Sequence, residues 1–140
     1  MTLLPTSAGT GTPAAFSPLV LIVDDNETNR KLARDVLRAA GLRTIDTASG
    51  RETLALAAEC RPDVILLDLR LPDMDGVEVA RRLQGEADTA SIPVVALSAL
   101  RGADEGASLR TAGFAGYLEK PIDVSRFPAQ VRSYCRRDTA

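Results

Sequence analysis

Asp24, Asp25, Asp68, Ser98 and Lys120 are the side chains in this sequence whose types, taken together, could do chemistry. Asp24 and Asp25 follow the apolar run Leu19–Val23, Asp68 the run 64–67, Ser98 the run 93–97 and Lys120 the short strand 116–119. Three carboxylates brought together repel one another, and a divalent cation is the natural compensation. All-oxygen donors that leave room for water favour Mg2+. An ammonium and a hydroxyl beside one of those carboxylates would receive a phosphoryl group, with the carboxylate as nucleophile and an acyl phosphate as product. Singly, each residue has a plainer reading. An Asp pair caps a helix, Asp68 ends a strand, Ser98 caps a loop and Lys120 is a solvated lysine. The joint placement after four strands favours a site. Lys31 is the chain's other lysine, and the remaining basic residues are arginines, so a lysine at 120 is a specific choice. The sequence has no histidine, which excludes a His triad, a His metal site and a phosphohistidine of its own.

The elements that must position these residues alternate along the chain. Leu19–Val23 and 64–67 are wholly apolar runs, as strands buried on both faces should be. Residues 26–40 place Leu32, Ala33, Val36, Leu37 and Ala40 on one helical stripe that Gly41 stops. A second strand fits 42–47. Ser49 and Glu52 form a capping box opening a helix to Cys60, with Pro62 beyond. Asp75-Gly76 begins a helix through Leu83, and 93–97 is a fourth strand. Residues 103–112 make a weak helix closed by Gly113, and 116–119 a short strand. A last helix starting near Ser125 carries Phe127, Val131, Tyr134 and Cys135. The pattern is α/β: five strand–helix units, hence a doubly wound parallel sheet with helices on both faces. In such sheets the ligand crevice lies at the carboxyl ends of the strands.

Composition sets the outer limits. A chain of 140 residues allows one domain, with 45% hydrophobic and 26% charged residues as in ordinary globular proteins. The 17 basic and 19 acidic side chains all lie from Asp24 onward and sum to −2, which argues against a nucleic-acid or membrane-surface binder. Residues 1–18 carry no charge and several Pro and Gly, and read as a flexible tail before a domain spanning 19–137. Cys60 and Cys135 are too few for a disulfide framework. Without an apolar span or a basic, apolar leader, a cytoplasmic location is expected.

From about Leu19 to Arg136 the chain resembles the receiver domain of bacterial two-component response regulators. The matching words are Val-Asp-Asp at 23–25, Leu-Leu-Asp-Leu-Arg-Leu-Pro-Asp-Met-Asp-Gly at 66–76, Leu-Ser-Ala at 97–99 and Tyr-Leu-Glu-Lys-Pro-Ile at 117–122. The resemblance implies a flavodoxin-like sheet with strand order 2-1-3-4-5. It makes Asp68 the phosphoacceptor and Mg2+ the cofactor. Asp25 would be a direct ligand, Asp24 would act nearby through water, and the backbone carbonyl of Arg70 would complete the protein ligands beside Asp68. Lys120 would contact the phosphoryl oxygens, with a cis bond to Pro121. Pro72 and Gly76 would shape the loop after Asp68. Ser98 and Tyr117 would be the switch, and Arg70 and Leu100 would govern the lifetime of the phosphorylated state. Ser98 departs from the commoner Thr, which keeps the hydroxyl but loosens its position.

The same resemblance implies a histidine kinase or phosphotransfer protein as phosphoryl donor and no enzymatic activity beyond the chain's own phosphorylation and slow dephosphorylation. Only Asp138, Thr139 and Ala140 follow the last helix, so no output domain is expected, and a stand-alone receiver would signal by docking on another protein. The expected docking face is 101–136, around 101–111, 115–117 and 126–136. Receivers cut from a hybrid kinase or a longer regulator are the alternative within the family. An Asp-nucleophile phosphatase of the haloacid-dehalogenase type is the rival outside it, but Arg70 stands where its general acid would be.

Overall fold

The computed structural model describes residues 17–98 and 108–135. Strand β1 spans Leu19–Val23, α1 Glu27–Ala39, β2 Arg43–Thr47, α2 Gly50–Cys60, β3 Val64–Asp68, α3 Gly76–Gln84 and β4 Val94–Ser98. A helix described over 108–111 is α4, followed by β5 at Gly116–Glu119 and α5 at Phe127–Tyr134. The sheet is five-stranded and parallel, in the order β2-β1-β3-β4-β5, as expected.

The strands alternate their side chains between two apolar layers. Leu21, Val23, Ile65, Leu67, Val94 and Ala96 meet α2, α3, Leu109 and Phe114 on one face. Val20, Ile22, Val64, Leu66, Val95 and Leu97 meet Ala33 and Leu37 of α1 and Phe127 and Val131 of α5 on the other. Each fully buried Leu, Ile, Val or Phe contributes about 1.5–3 kcal/mol, so the central strands are held from both sides. Gly41 and Gly113 end α1 and α4 at φ of 92° and 102°, a region that glycine enters without steric cost. No helix among the described residues is long and apolar enough to cross a membrane.

Several local expectations need correction. Leu32 is 42% exposed and lies at the edge of the α1 stripe rather than in it. Leu42 is buried but precedes β2. Helix α5 starts at Phe127, two residues after the expected Ser125. Asp123 Oδ1 accepts from the Ser125 N–H (3.1 Å) and Oγ (2.8 Å), holding that segment as a separate turn. Half of the capping box forms: Ser49 Oγ accepts from the Glu52 N–H at 3.1 Å. The Glu52 carboxylate accepts from the Thr47 hydroxyl instead of reaching back to the Ser49 N–H. The tail up to residue 16, Leu100, residues 101–107 of the expected docking face and Arg136 lie outside the described residues.

Candidate metal and phosphoryl-acceptor site

Buried strands that all end at one edge deliver their next residues to one place. Asp24 follows β1 and Asp68 closes β3, its parallel neighbour. Both are buried, at 2% and 7% exposure, whereas Asp25 is exposed. One carboxylate oxygen from each of the three lies within 4.8 Å of the others. Lys120, just past β5, sends Nζ to Asp68 Oδ2 at 3.1 Å and to Asp24 Oδ2 at 3.3 Å. The Lys120 N–H donates to the Ser98 carbonyl at 2.9 Å, so β4 fixes where the lysine leaves the sheet. Its bond to Pro121 is cis. Ser98 is buried at the end of β4, and Tyr117 on β5 is half-buried against the layer formed by α2 and α3.

Hydrogen bonds fix the carboxylates further. Asp68 Oδ1 accepts from the Arg70 N–H at 3.0 Å. Asp24 accepts from the Asn26 N–H at 2.9 Å and from Asn29 Nδ2 at 3.4 Å. Burial pushes the Asp68 carboxyl above the usual carboxylate value, against the Arg70 N–H and Lys120, which favour its charge, and with Asp24, which opposes it. Burial also disfavours the Lys120 charge, yet Asp68 and Asp24 together outweigh it and leave the ammonium above its ordinary value. The acids and Lys120, with Arg70 and Ser98, line a cleft of about 410 Å³. A hard oxygen-preferring cation fits this donor set. Two buried carboxylates share one ammonium, a third carboxylate converges with them, and Asp25 faces solvent, from which a cation could keep water in its shell.

The loop after Asp68 is anchored on both sides. Asp75 Oδ1 caps α3 through the Val77 N–H at 2.8 Å, and the Gly76 N–H donates to Leu69 O at 3.1 Å. A Cβ on Gly76 would stand 2.8 Å from Leu69 Cα, so the loop folds back only over a glycine. Asp73 closes the other side: its carboxylate accepts from the Gly50 N–H (2.9 Å), the Arg51 N–H (3.0 Å) and Ser49 Oγ (3.1 Å) at the start of α2. These donors, the Gly50 N–H foremost, hold the Asp73 carboxyl below its ordinary value. Sequence reasoning missed Asp73, and it missed Arg30, which donates to the Asp24 carbonyl and to Asp46. Beside the cleft, an apolar recess of about 240 Å³ includes Leu32, Ile122 and Phe127 and is bordered by Asp24 and Lys120. Val124 is 51% exposed.

Comparison with known proteins agrees with this fold. The model of the response regulator receiver domain family matches residues 20–132. The polar-differentiation response regulator DivK of Brucella anthropi is 44% identical over 115 residues, covering 82% of this chain and 94% of the relative. The DivK of Brucella ovis matches equally. Among solved structures, the chemotaxis response regulator CheY4 of Vibrio cholerae superposes with a TM-score of 0.79 at 27% identity, over 84% of this chain and 98% of that one. The receiver domain of the sensor histidine kinase PA1611 of Pseudomonas aeruginosa, which has a magnesium ion in its active-site cleft, gives 0.74 at 30% identity over 84% and 97%.

Proposed function

We propose, for a chain that belongs to the response regulator receiver domain family, that Asp68 accepts the phosphoryl group. The protein is a phosphorylation-activated switch of two-component signalling. The observation that carries the assignment is the meeting of a buried carboxylate with a lysine ammonium and two further acids at one strand edge. Asp24, Asp25, Asp68 and the Arg70 carbonyl would hold Mg2+, which supplies positive charge against phosphoryl oxygens.

An Asp68 oxygen attacks phosphorus, the O–P bond forms and the N–P bond of a donor phosphohistidine breaks. The imidazole leaves neutral, its other ring nitrogen carrying the proton. Lys120 is already within hydrogen-bond reach of Asp68 and would follow the new charge onto the phosphoryl oxygens. Ser98 and Tyr117 would then bias a two-state element, while Arg70 and Leu100 would shield the acyl phosphate from water. The chain's chemistry would be limited to its own phosphorylation and slow dephosphorylation, in the cytoplasm.

A histidine kinase or phosphotransfer protein would be the donor. Leu32 and Ile122, apolar and accessible beside the cleft, would receive its helix while the phosphohistidine enters. The match to DivK over nearly all of the relative's length supports a stand-alone receiver, which would signal by docking on another protein, with 101–136 as the output surface. The test is phosphorylation by a phosphohistidine donor and by acetyl phosphate with Mg2+. The product should be labile to hydroxylamine and absent from Asp68→Asn. A hydroxylamine-resistant phosphate on Ser or Thr would overturn the assignment.

A further inference from the structure

We propose that Arg30 is a positioning residue for the cation site, acting through the backbone of Asp24. The proposal rests on the reading that Asp24, Asp25 and Asp68 hold Mg2+. Asp24 is the first residue past β1. Its N–H still finds the sheet, donating to Thr47 O at 3.1 Å. Its carbonyl is claimed by Arg30, whose NH1 donates to it at 2.8 Å while Nε donates to Asp46 Oδ2 at 3.0 Å. Asp46 lies on β2, paired in register with Ile22 of β1. The guanidinium therefore braces the end of β1 against β2, and it does so from a half-buried position, with the Arg30 and Asp46 side chains 18% and 20% exposed.

The peptide plane that begins at the Asp24 carbonyl ends at the Asp25 nitrogen, so fixing one fixes the departure of the other. Asp25 is exposed, so the main chain carries more of the work of placing it than burial does. Arg30 thus sets where the exposed acid starts, and through it the spacing of the three carboxylates.

Charge and position make opposite demands here, which renders the idea testable. A guanidinium beside a cation site opposes cation binding by Coulomb repulsion, so removing it should tighten Mg2+ binding if charge were its whole effect. Loss of the brace should weaken binding instead. Arg34 supplies the control: its NH1 reaches Asp46 Oδ1 at 3.3 Å, in the same ion-pair group, without a bond to Asp24.

The experiment titrates the full chain with Mg2+ by calorimetry and by the amide shift of Asp25, for wild type, Arg30→Met, Arg30→Lys and Arg34→Met. Thermal midpoints without Mg2+ are recorded for each. Arg30→Met should weaken Mg2+ about tenfold, the low end of what losing an outer contact of a metal ligand costs. Arg30→Lys keeps the charge but cannot span both acceptors, and should weaken binding as well. Arg34→Met should leave affinity unchanged or raise it. If Arg30→Met binds Mg2+ as tightly as wild type, or if Arg34→Met weakens it equally, the proposal is wrong. Should Arg30→Met fail to fold, Arg30→Lys decides by the same criterion. A wild type that binds no Mg2+ overturns the underlying reading and this proposal with it.

Discussion

Replacing Lys120 with Met removes the ammonium that two buried carboxylates share, and the structure sets the size of the effect. The Asp24 and Asp68 oxygens lie within 4.8 Å, so their repulsion is at least about 3.5 kcal/mol at an effective dielectric of 20 and about 0.9 kcal/mol in water. With Lys120 at 3.3 and 3.1 Å from the two, that repulsion is more than offset; without it, it stands. Protonating one carboxyl relieves the strain, and at pH 7 that costs an ordinary aspartate about 4 kcal/mol, which caps the loss. Releasing a partly buried ammonium from its burial returns some of it. The expected result is a destabilisation of about 1–3 kcal/mol in Mg2+-free buffer. Urea unfolding with and without Mg2+ measures it. A divalent cation should restore most of the variant's deficit and stabilise it more than it stabilises wild type. If the variant matches wild type without Mg2+, and both respond equally to the cation, Lys120 is not the counter-charge of this cluster.

Three further outcomes are expected. Asp73→Asn should lower stability at neutral pH. The wild-type carboxyl has a depressed folded-state pKa, so its contribution is present above the unfolded value near 3.8 and lost as pH falls through the folded one. The gap between wild type and variant in acid titrations of unfolding should therefore close below that window. Ser98→Ala should still accept phosphate but lose the phosphorylation-dependent rise in partner affinity, within the roughly 1–3 kcal/mol typical of such couplings, as read by pull-down or calorimetry with and without phosphorylation. Arg70→Asn combined with Leu100→Gln should shorten the life of the acyl phosphate, about tenfold for each 1.36 kcal/mol of barrier lost, in a timed phosphate-release assay.

What the sequence disclosed and what it hid follow from how far each interaction reaches along the chain. Strands β1, β3 and β4 are buried on both faces, so each reads as an unbroken apolar run, and the polar residue that ends it is easy to see. That placed Asp24, Asp68 and Ser98 at one edge. Asp73 was hidden because Pro-Asp-Met-Asp-Gly reads as a local turn, while its carboxylate bonds to amides 22 and 23 residues upstream. Arg30 reaches Asp46 across 16 residues, and no spacing rule links a helix arginine to a neighbouring strand's acid. Leu32 was misjudged because it stands one turn before Val36, at the rim of the α1 stripe, where periodicity alone does not separate buried from accessible. Asp123 formed its own turn and delayed α5, a competition between side chain and helix that Pro128 does not reveal.

The sheet is also a partition. Leu118 of β5 packs with α1 and α5, while the adjacent Tyr117 packs with the layer of α2 and α3. The apolar recess beside the cleft, with Leu32 and Ile122, belongs to the α1–α5 side. Tyr117, the residue proposed to report phosphorylation, thus packs on the opposite face of the sheet from the recess proposed to meet the donor. Because Ile122 belongs both to that recess and to the proposed 101–136 output face, a docked donor would cover part of the output surface, and the receiver would meet its donor and its target in turn rather than together.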